Sequence, residues 1–392
     1  MNRRLWRELD SPQVTMLVVL ALYLAFFWVR LASYAGDISR FVVAGDRFAT
    51  AGQVPENLFI LPDSDGYDGQ FYYLLAIEPF TREWEGYGVR MDGNPAYRQQ
   101  RILYPLLVHV AALGKPLLVP LAMVSVNLLA LALIGWQSGR LAQVCGHHAL
   151  AGLGLALFPG LLLSFDRDLT EITEILFFLA TLLELVQARP RYGLAAVCLC
   201  LALLAKETSL GLAIAALPAA GWGLYRRQRE RHSWVLFVAP MLLYVAWQAW
   251  LRANWGMASL SGNVVRSNVN VPGASSSRLP PFIQALVRYV PQGGLTAWEL
   301  LLLALFGLVV LGALWRSRAS LHIKLAFVAY LGLMMIIRHY GGGDWAFLRA
   351  LAEYWMLGGI ILLTSWRWSA WPWALITSWF WVLLALQLVL YR

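Results

Sequence analysis

Charge is scarce in this 392-residue chain. Asp, Glu, Lys and Arg together make up 14% of it, against 59% hydrophobic residues. A soluble chain averages about 25% charged and roughly 45–50% apolar, so a soluble globular class is excluded. Cysteine is nearly absent as well. Cys145, Cys198 and Cys200 lie in or beside apolar runs at no zinc-ligand spacing, and they read as packing residues rather than a metal site or a disulfide framework. There is no Walker loop, no GxGxxG after a strand, no HExxH and no Gly-x-Ser-x-Gly. ATP-driven, redox and serine-hydrolase chemistry therefore lack support. Internal repeats and low-complexity tracts are missing too, and the apolar runs do not alternate as the strands of a membrane β-barrel would.

What the chain has instead is long apolar runs, with a mean hydropathy of +0.59. Crossing ~30 Å of hydrocarbon takes about 20 such residues. Backbone groups in lipid must bond within their own segment, so these runs are expected to be helices. The expected fold is an all-α polytopic membrane protein, one transmembrane domain over residues 1–392 with about eleven spans. The first, Gln13–Ala35, follows Arg3, Arg4 and Arg7; its apolar core is longer than the ~7–15 residues of a signal peptide, so it reads as an uncleaved anchor. Two later spans are expected at His148–Phe165 and Leu348–Trp366, while Ile102–Leu113 is too short to cross and reads as interfacial or re-entrant.

The net charge of +9 does not point to nucleic acid, because the arginines sit in short loops between apolar runs. With the N-terminus in the cytoplasm, Arg140, Arg189, Arg191, Arg226 and Arg316 fall inside, as the positive-inside rule requires. The other ends carry mixed charge, including Glu174, Arg349 and Glu353, and are expected to line a polar cavity open to the outer face, with ordinary loop charge in mutual ion pairs as the plainer alternative. The cell membrane of a bacterium, with a periplasmic site, is the expected location.

Two outer loops stand out. Residues 253–296 are rich in Ser, Asn, Gly and Pro and suit a lid or a plain connector. Residues 36–101 hold ten of the 22 acidic residues; within them, 37–50 has helical apolar spacing and is expected to lie along the membrane surface. The stretch Asp63-Ser64-Asp65-Gly66-Tyr67-Asp68-Gly69-Gln70-Phe71-Tyr72-Tyr73 gathers three carboxylates and three tyrosines. Gly66 and Gly69 permit a sharp turn beside Asp68, the first candidate for catalysis, with Asp63 and Asp65 as substitutes. A carboxylate here suits either proton transfer or a divalent cation; helix capping is the plainer alternative. No metal-ligand set is assigned, and the cofactor question stays open between a divalent cation and none. Lys206, which with Glu207 forms the only charged pair in its apolar stretch, suits a lipid phosphate or else a salt bridge between helices, and Arg98 and Arg101 suit a phosphate or else interfacial anchoring. Asp168 and Glu171 open the cavity edge, and the turn from Arg338 and His339 to Asp344 has phosphate- or sugar-binding potential.

These residues resemble a known family. Tyr67-Asp68-Gly69-Gln70-Phe71-Tyr72-Tyr73-Leu74-Leu75-Ala76 resembles the "Trp-Asp-x-x-x-Tyr-x-x-Ile-Ala" signature of the GPI mannosyltransferase II-like family, one of the GT-C glycosyltransferases. Leu103-Tyr104-Pro105-Leu106, then Phe158-Pro159 with Leu169-Thr170-Glu171-Ile172, then Ala205-Lys206-Glu207-Thr208 are similar to its later elements, in the same order. The likeness covers residues 60–215. It implies a helical bundle whose first outer loop forms part of the active site, and transfer of a sugar from a polyprenyl-phosphate donor to a glycan, lipid or protein acceptor. Carried over, Asp68 is the catalytic acid residue, with Glu171 and Lys206 near donor or acceptor; Tyr67, Gln70 and Tyr72 belong to the signature. Tyr67 stands for the family's Trp, Ile172 for its Ser and Lys206 for its Arg, and the C-terminal half is unmatched, which leaves sugar and acceptor open. The expected partners are thus the lipid-linked donor, the acceptor and the bilayer, with no nucleic acid. A transporter or flippase of lipid-linked saccharides is the alternative.

Overall fold

The structure is a computed structural model describing residues 8–226, 232–260, 279–337, 340, 346–365 and 370–390. The described residues are overwhelmingly helical, with two two-stranded ribbons as their only sheet. Six helical segments are long and apolar enough to cross a membrane: Pro12–Ser33, Pro116–Val144, Glu207–Tyr225, Trp234–Trp255, Gly294–Ala313 and Ala370–Leu390. Three shorter apolar helices, Tyr192–Ala205, Leu321–Ile336 and Ala352–Leu363, accompany them. Of the eleven or so spans expected, six are matched among the described residues by helices of full crossing length, with shorter pieces between.

The first helix, α1 (Pro12–Ser33), starts where Ser11 accepts from the Gln13 amide and Pro12 occupies the first turn. The first long loop, expected on the outer face and so named the outer loop, follows. Its strands β1 (Ala44–Gly45) and β2 (Ile60–Leu61) pair in parallel, and β3 (Glu85–Gly86) with β4 (Val89–Arg90) antiparallel. Helices α2 (Gly69–Ile77), α3 (Pro95–Gln99) and α4 (Leu103–Ala111) complete it. The surface helix expected at 37–50 is not there. Asp37 caps a single 3-10 turn, Ile38–Phe41, and the chain then enters β1. Ala44 and Gly45 pair instead with Ile60 and Leu61, and a Cβ at Gly45 would collide with the backbone of Ser64, Asp65 and Gly66, so the stretch lies extended against the returning chain. Val42, Phe71, Leu75, Tyr104, Met123 and Leu169 form a small core beneath the loop.

The bundle proper comprises α5 (Val119–Val144), α6 (Leu153–Ala156), α7 (Pro159–Phe165), α8 (Glu171–Leu185), α9 (Tyr192–Ala205), α10 (Leu210–Tyr225) and α11 (Trp234–Trp255). After the second outer loop come α12 (Pro281–Tyr289), α13 (Gly294–Ala313), α14 (Leu321–Ile336), α15 (Ala346–Ala350), α16 (Ala352–Leu363) and α17 (Ala370–Leu390). The lid expected in 253–296 falls largely on 261–278, outside the described residues. The span expected at His148–Phe165 is broken. Pro159 lacks an amide and keeps Phe158 out of helical geometry, at ψ 126°, so α6 and α7 are separate. The one expected at Leu348–Trp366 breaks at Leu351, with neither Pro nor Gly to mark it.

Small residues let the helices close. A side chain at Gly135 or Gly139 of α5 would meet Met16, Val19 or Thr15 of α1 at about van der Waals overlap, with Pro12 Cα 3.0 Å from the Gly139 position. This is a small-xxx-small face, which brings two backbones together where lipid offers no hydrophobic drive. Gly154, Gly358 and Gly359 likewise admit Trp373 and Phe306, and Phe306 stacks on Trp355 at 4.1 Å. Gly139→Leu is expected to part α1 from α5 and to cost about 1–3 kcal/mol by overpacking, read as a lower melting temperature in detergent with helical content kept.

Candidate functional site

The outer loop reaches the bundle through backbone contact. Gly66 adopts φ +63°, and a Cβ at Gly69 would stand 2.5 Å from the Val42 carbonyl and 2.6 Å from that of Arg167. Only glycine fits both needs. Gln70 fixes the turn by donating to the Asp65 carbonyl and accepting from the Gly45 amide. Asp68 is thereby set at the head of α2, yet its carboxylate makes no capping bond. It turns toward arginines instead.

Arg98, on α3, meets Asp68 Oδ1 at 2.8 Å and Asp92 at 2.6 Å. Arg349, on α15, meets Asp68 Oδ2 at 3.2 Å and Glu171 Oε1 at 2.7 Å. The Glu171 carboxylate lies 3.8 Å from the Lys206 ammonium, which also stands 3.6 Å from Glu174 and donates to the Arg349 carbonyl. Arg101 grips Glu207 with two bonds, at 2.6 and 2.9 Å, and donates to the Tyr72 and Tyr97 hydroxyls. Deeper, Ser209 donates to Glu174, whose carboxyl faces that of Glu353. Glu353 is fully buried, and among the described residues neither oxygen has a hydrogen-bonding polar partner other than that carboxyl. Tyr67 lies under the guanidiniums of Arg167 and Arg349, at 4.3 and 5.1 Å. One network thus joins the outer loop to the starts of α8 and α16 and the end of α9.

Depth follows from helix length. At 1.5 Å per residue, α8 and α16 span only about 22 and 18 Å, short of the ~30 Å slab that the long helices suit. A helix that much shorter than the slab has at least one end within it, and the buried Glu171 and Glu353 place the charged ends inside the bundle. The Asp68, Arg98 and Arg349 side chains keep 17%, 13% and 15% exposure, so the site is reachable, whereas Lys206 and Glu171 are buried.

Not every expected residue joins. Asp63 and Asp65, taken as substitutes for Asp68, are exposed on the loop, where Asp65 pairs with Arg47 at 2.9 Å. The left-handed backbone at Asp63 and the Gly66 turn direct these two away. Gln70 is buried with its amide oxygen and nitrogen both engaged, so it is a brace rather than a substrate contact. Asp168 is buried against Asn127, at 3.2 Å, and stays apart from the network; burial pushes its carboxyl well up. Arg338, His339 and Asp344 lie outside the described residues. Arg349, Glu174, Glu353, Asp92 and Tyr97 enter the network without having been singled out as site residues, although charges in apolar runs had marked the first three. Among the described residues no three Asp, Glu, His or Cys side chains form a group fit for a metal ion. The carboxylates near Asp68 are instead each faced by a cation.

Comparison of the chain with family descriptions, with curated proteins and with solved structures returns no match. The geometry has to carry the reading alone.

Burial pushes the Asp68 carboxyl up, but Arg98, Arg349 and Arg101 outweigh it and hold the group well below the usual carboxylate range. A depressed folded value contributes stability that is complete above the unfolded value, about 3.9, and is lost as pH falls through the folded one. Asp68 is thus expected to add no slope to stability between pH 5 and 8, taken as roughly one unit and more above that value, and to add acid sensitivity below about pH 4. Melting curves of the wild type and Asp68→Asn across acid pH check this: the variant's acid limb should be flatter.

Proposed function

We propose that this chain is an integral-membrane glycosyltransferase, moving a sugar from a polyprenyl-phosphate donor to an acceptor at the outer, periplasmic face. The observation that carries the reading is the convergence of Asp68 with Arg98, Arg101, Arg349, Glu171 and Lys206 in one recessed, solvent-reachable cluster at the bundle's end. A lipid-borne phosphate travels at headgroup depth, and the guanidiniums meet it there. On this reading the short helices belong to a GT-C-like bundle of about eleven membrane segments, some incomplete, in a bacterial cell membrane with a cytoplasmic N-terminus.

The chemistry follows from the ion pairs. As long as Arg98 and Arg349 clamp Asp68, the carboxylate is a weak base. An incoming phosphate competes for the same guanidiniums, loosens Asp68 and raises its basicity. The acceptor hydroxyl then attacks the anomeric carbon as its proton passes to Asp68. The bond from that carbon to the phosphate oxygen breaks, and the leaving phosphate takes its charge to Arg98, Arg349 and Lys206. Clustering at one end favours transfer over transport, since a transporter sets its charges at the midplane between related halves.

With mannosyl polyprenyl phosphate as the probe donor and wild-type membranes as the acceptor source, Asp68→Asn is expected to cut release of polyprenyl phosphate at least about 100-fold with the protein still folded and inserted. Full activity in the variant removes Asp68 from the mechanism. For sidedness, Asp63→Cys and Arg189→Cys should label from opposite sides of sealed vesicles; labelling from one side breaks the proposed orientation.

A further inference from the structure

At the end of the bundle opposite the charged network lies a cavity of about 820 Å³. The ends of α5, α8 and α16, the start of α9 and the turn between α13 and α14 line it. Arg316 and Arg318, on the α13–α14 turn, are both exposed, so the cavity is open on that side. Its chemistry differs from that of the first site. Arg316, Arg318, His147, Ser320 and Thr364 are among the residues lining it, and among the described lining residues there is no Asp or Glu. The acid nearest in sequence, Glu184, is taken by Arg191 at 2.7 Å.

The wall is braced independently of the Arg318 guanidinium. His147 Nε2 bonds the Leu363 carbonyl at 2.8 Å, the Arg318 amide donates to the Thr364 carbonyl, and Lys324 donates to the Ser317 carbonyl at 2.7 Å. Ser317 and Thr364 join through their hydroxyls at 2.6 Å. The carbonyls that end α16 and the α13–α14 turn are thus met by other donors, and the guanidinium adds positive charge to a polar cavity with no acid among its described lining residues. Ser320 at the head of α14 turns its hydroxyl to His322 and caps no amide, so the first turn of that helix adds donors at the cavity edge. The volume lies within the ~300–1,000 Å³ of ordinary ligand sites, and basic pockets between membrane helices suit phosphate headgroups.

We propose that this cavity binds a phosphate group, presented either by an anionic lipid headgroup or by a soluble phosphate ester, in a site separate from the Asp68 network. The full chain, purified into phosphatidylcholine nanodiscs, serves as the test, against an Arg316→Ala/Arg318→Ala double variant and an Arg318→Lys variant. Two arginines near a headgroup, at about 1 kcal/mol each, correspond to about 30-fold, so native mass spectrometry should show phosphatidylglycerol retained about 30-fold over phosphatidylcholine by the wild type. The double variant should lose that preference and Arg318→Lys should keep most of it. Millimolar inorganic phosphate that raises the melting temperature of the wild type, but not of the double variant, assigns a soluble source instead. The proposal is overturned if neither phosphatidylglycerol nor phosphate is preferred, or if the double variant responds like the wild type. Either result leaves the Asp68 reading untouched, because both arginines lie at the far end of the bundle.

Discussion

A charge taken below the membrane surface persists only if an opposite charge travels with it. Arg349 shows what that demands of the fold. It has one carboxylate from the outer loop, Asp68, and one from the bundle, Glu171, and its own carbonyl accepts from Lys206. No two of these groups belong to the same helix. The network therefore ties four separate elements at one depth, and removing one partner leaves a recessed charge exposed to low dielectric. The same need explains Arg30, buried at the end of α1, which meets Asp166 at 2.7 Å and the Leu388 carbonyl of α17 at 3.0 Å. Charge pairing draws the element ends together here, while apolar packing fills the space between them.

Glycine decides how close those elements come. Gly69 seats the outer loop directly on the backbone of Val42 and Arg167, which aims Asp68 at the arginines. Gly358 and Gly359 open α16 to Phe306 and Trp373, so that Glu353, one and a half turns before them, is held deep in the bundle. Packing around small residues thus carries through to the electrostatics: a shift of the loop or of α16 alters which carboxylate each cation meets.

Much of the candidate site was legible in local pattern. Charges in apolar runs are costly, so Glu171, Glu174, Lys206 and Glu353 stood out, and the Gly-Asp spacing around Asp68 marked a turn. Two things misled. Asp63 and Asp65 share their neighbour's composition, but backbone direction, not composition, chooses which of three adjacent carboxylates faces inward. Gln70 sits in a suggestive motif, yet it is spent on two backbone groups of the loop. The helix break at Leu351, which separates Arg349 from Glu353, has no sequence mark at all.

By itself the sequence determined the class and the inventory. The hydrocarbon slab forces apolar composition and internal hydrogen bonding on every crossing segment, so both are written along the chain. The tertiary structure alone decided which segments are whole helices and which are short, and which carboxylate meets which cation. Those outcomes depend on contacts between residues as far apart as Asp68 and Arg349, 281 positions along the chain. Local pattern carries no information on such pairing; only the packing of the helices brings the two charges within reach.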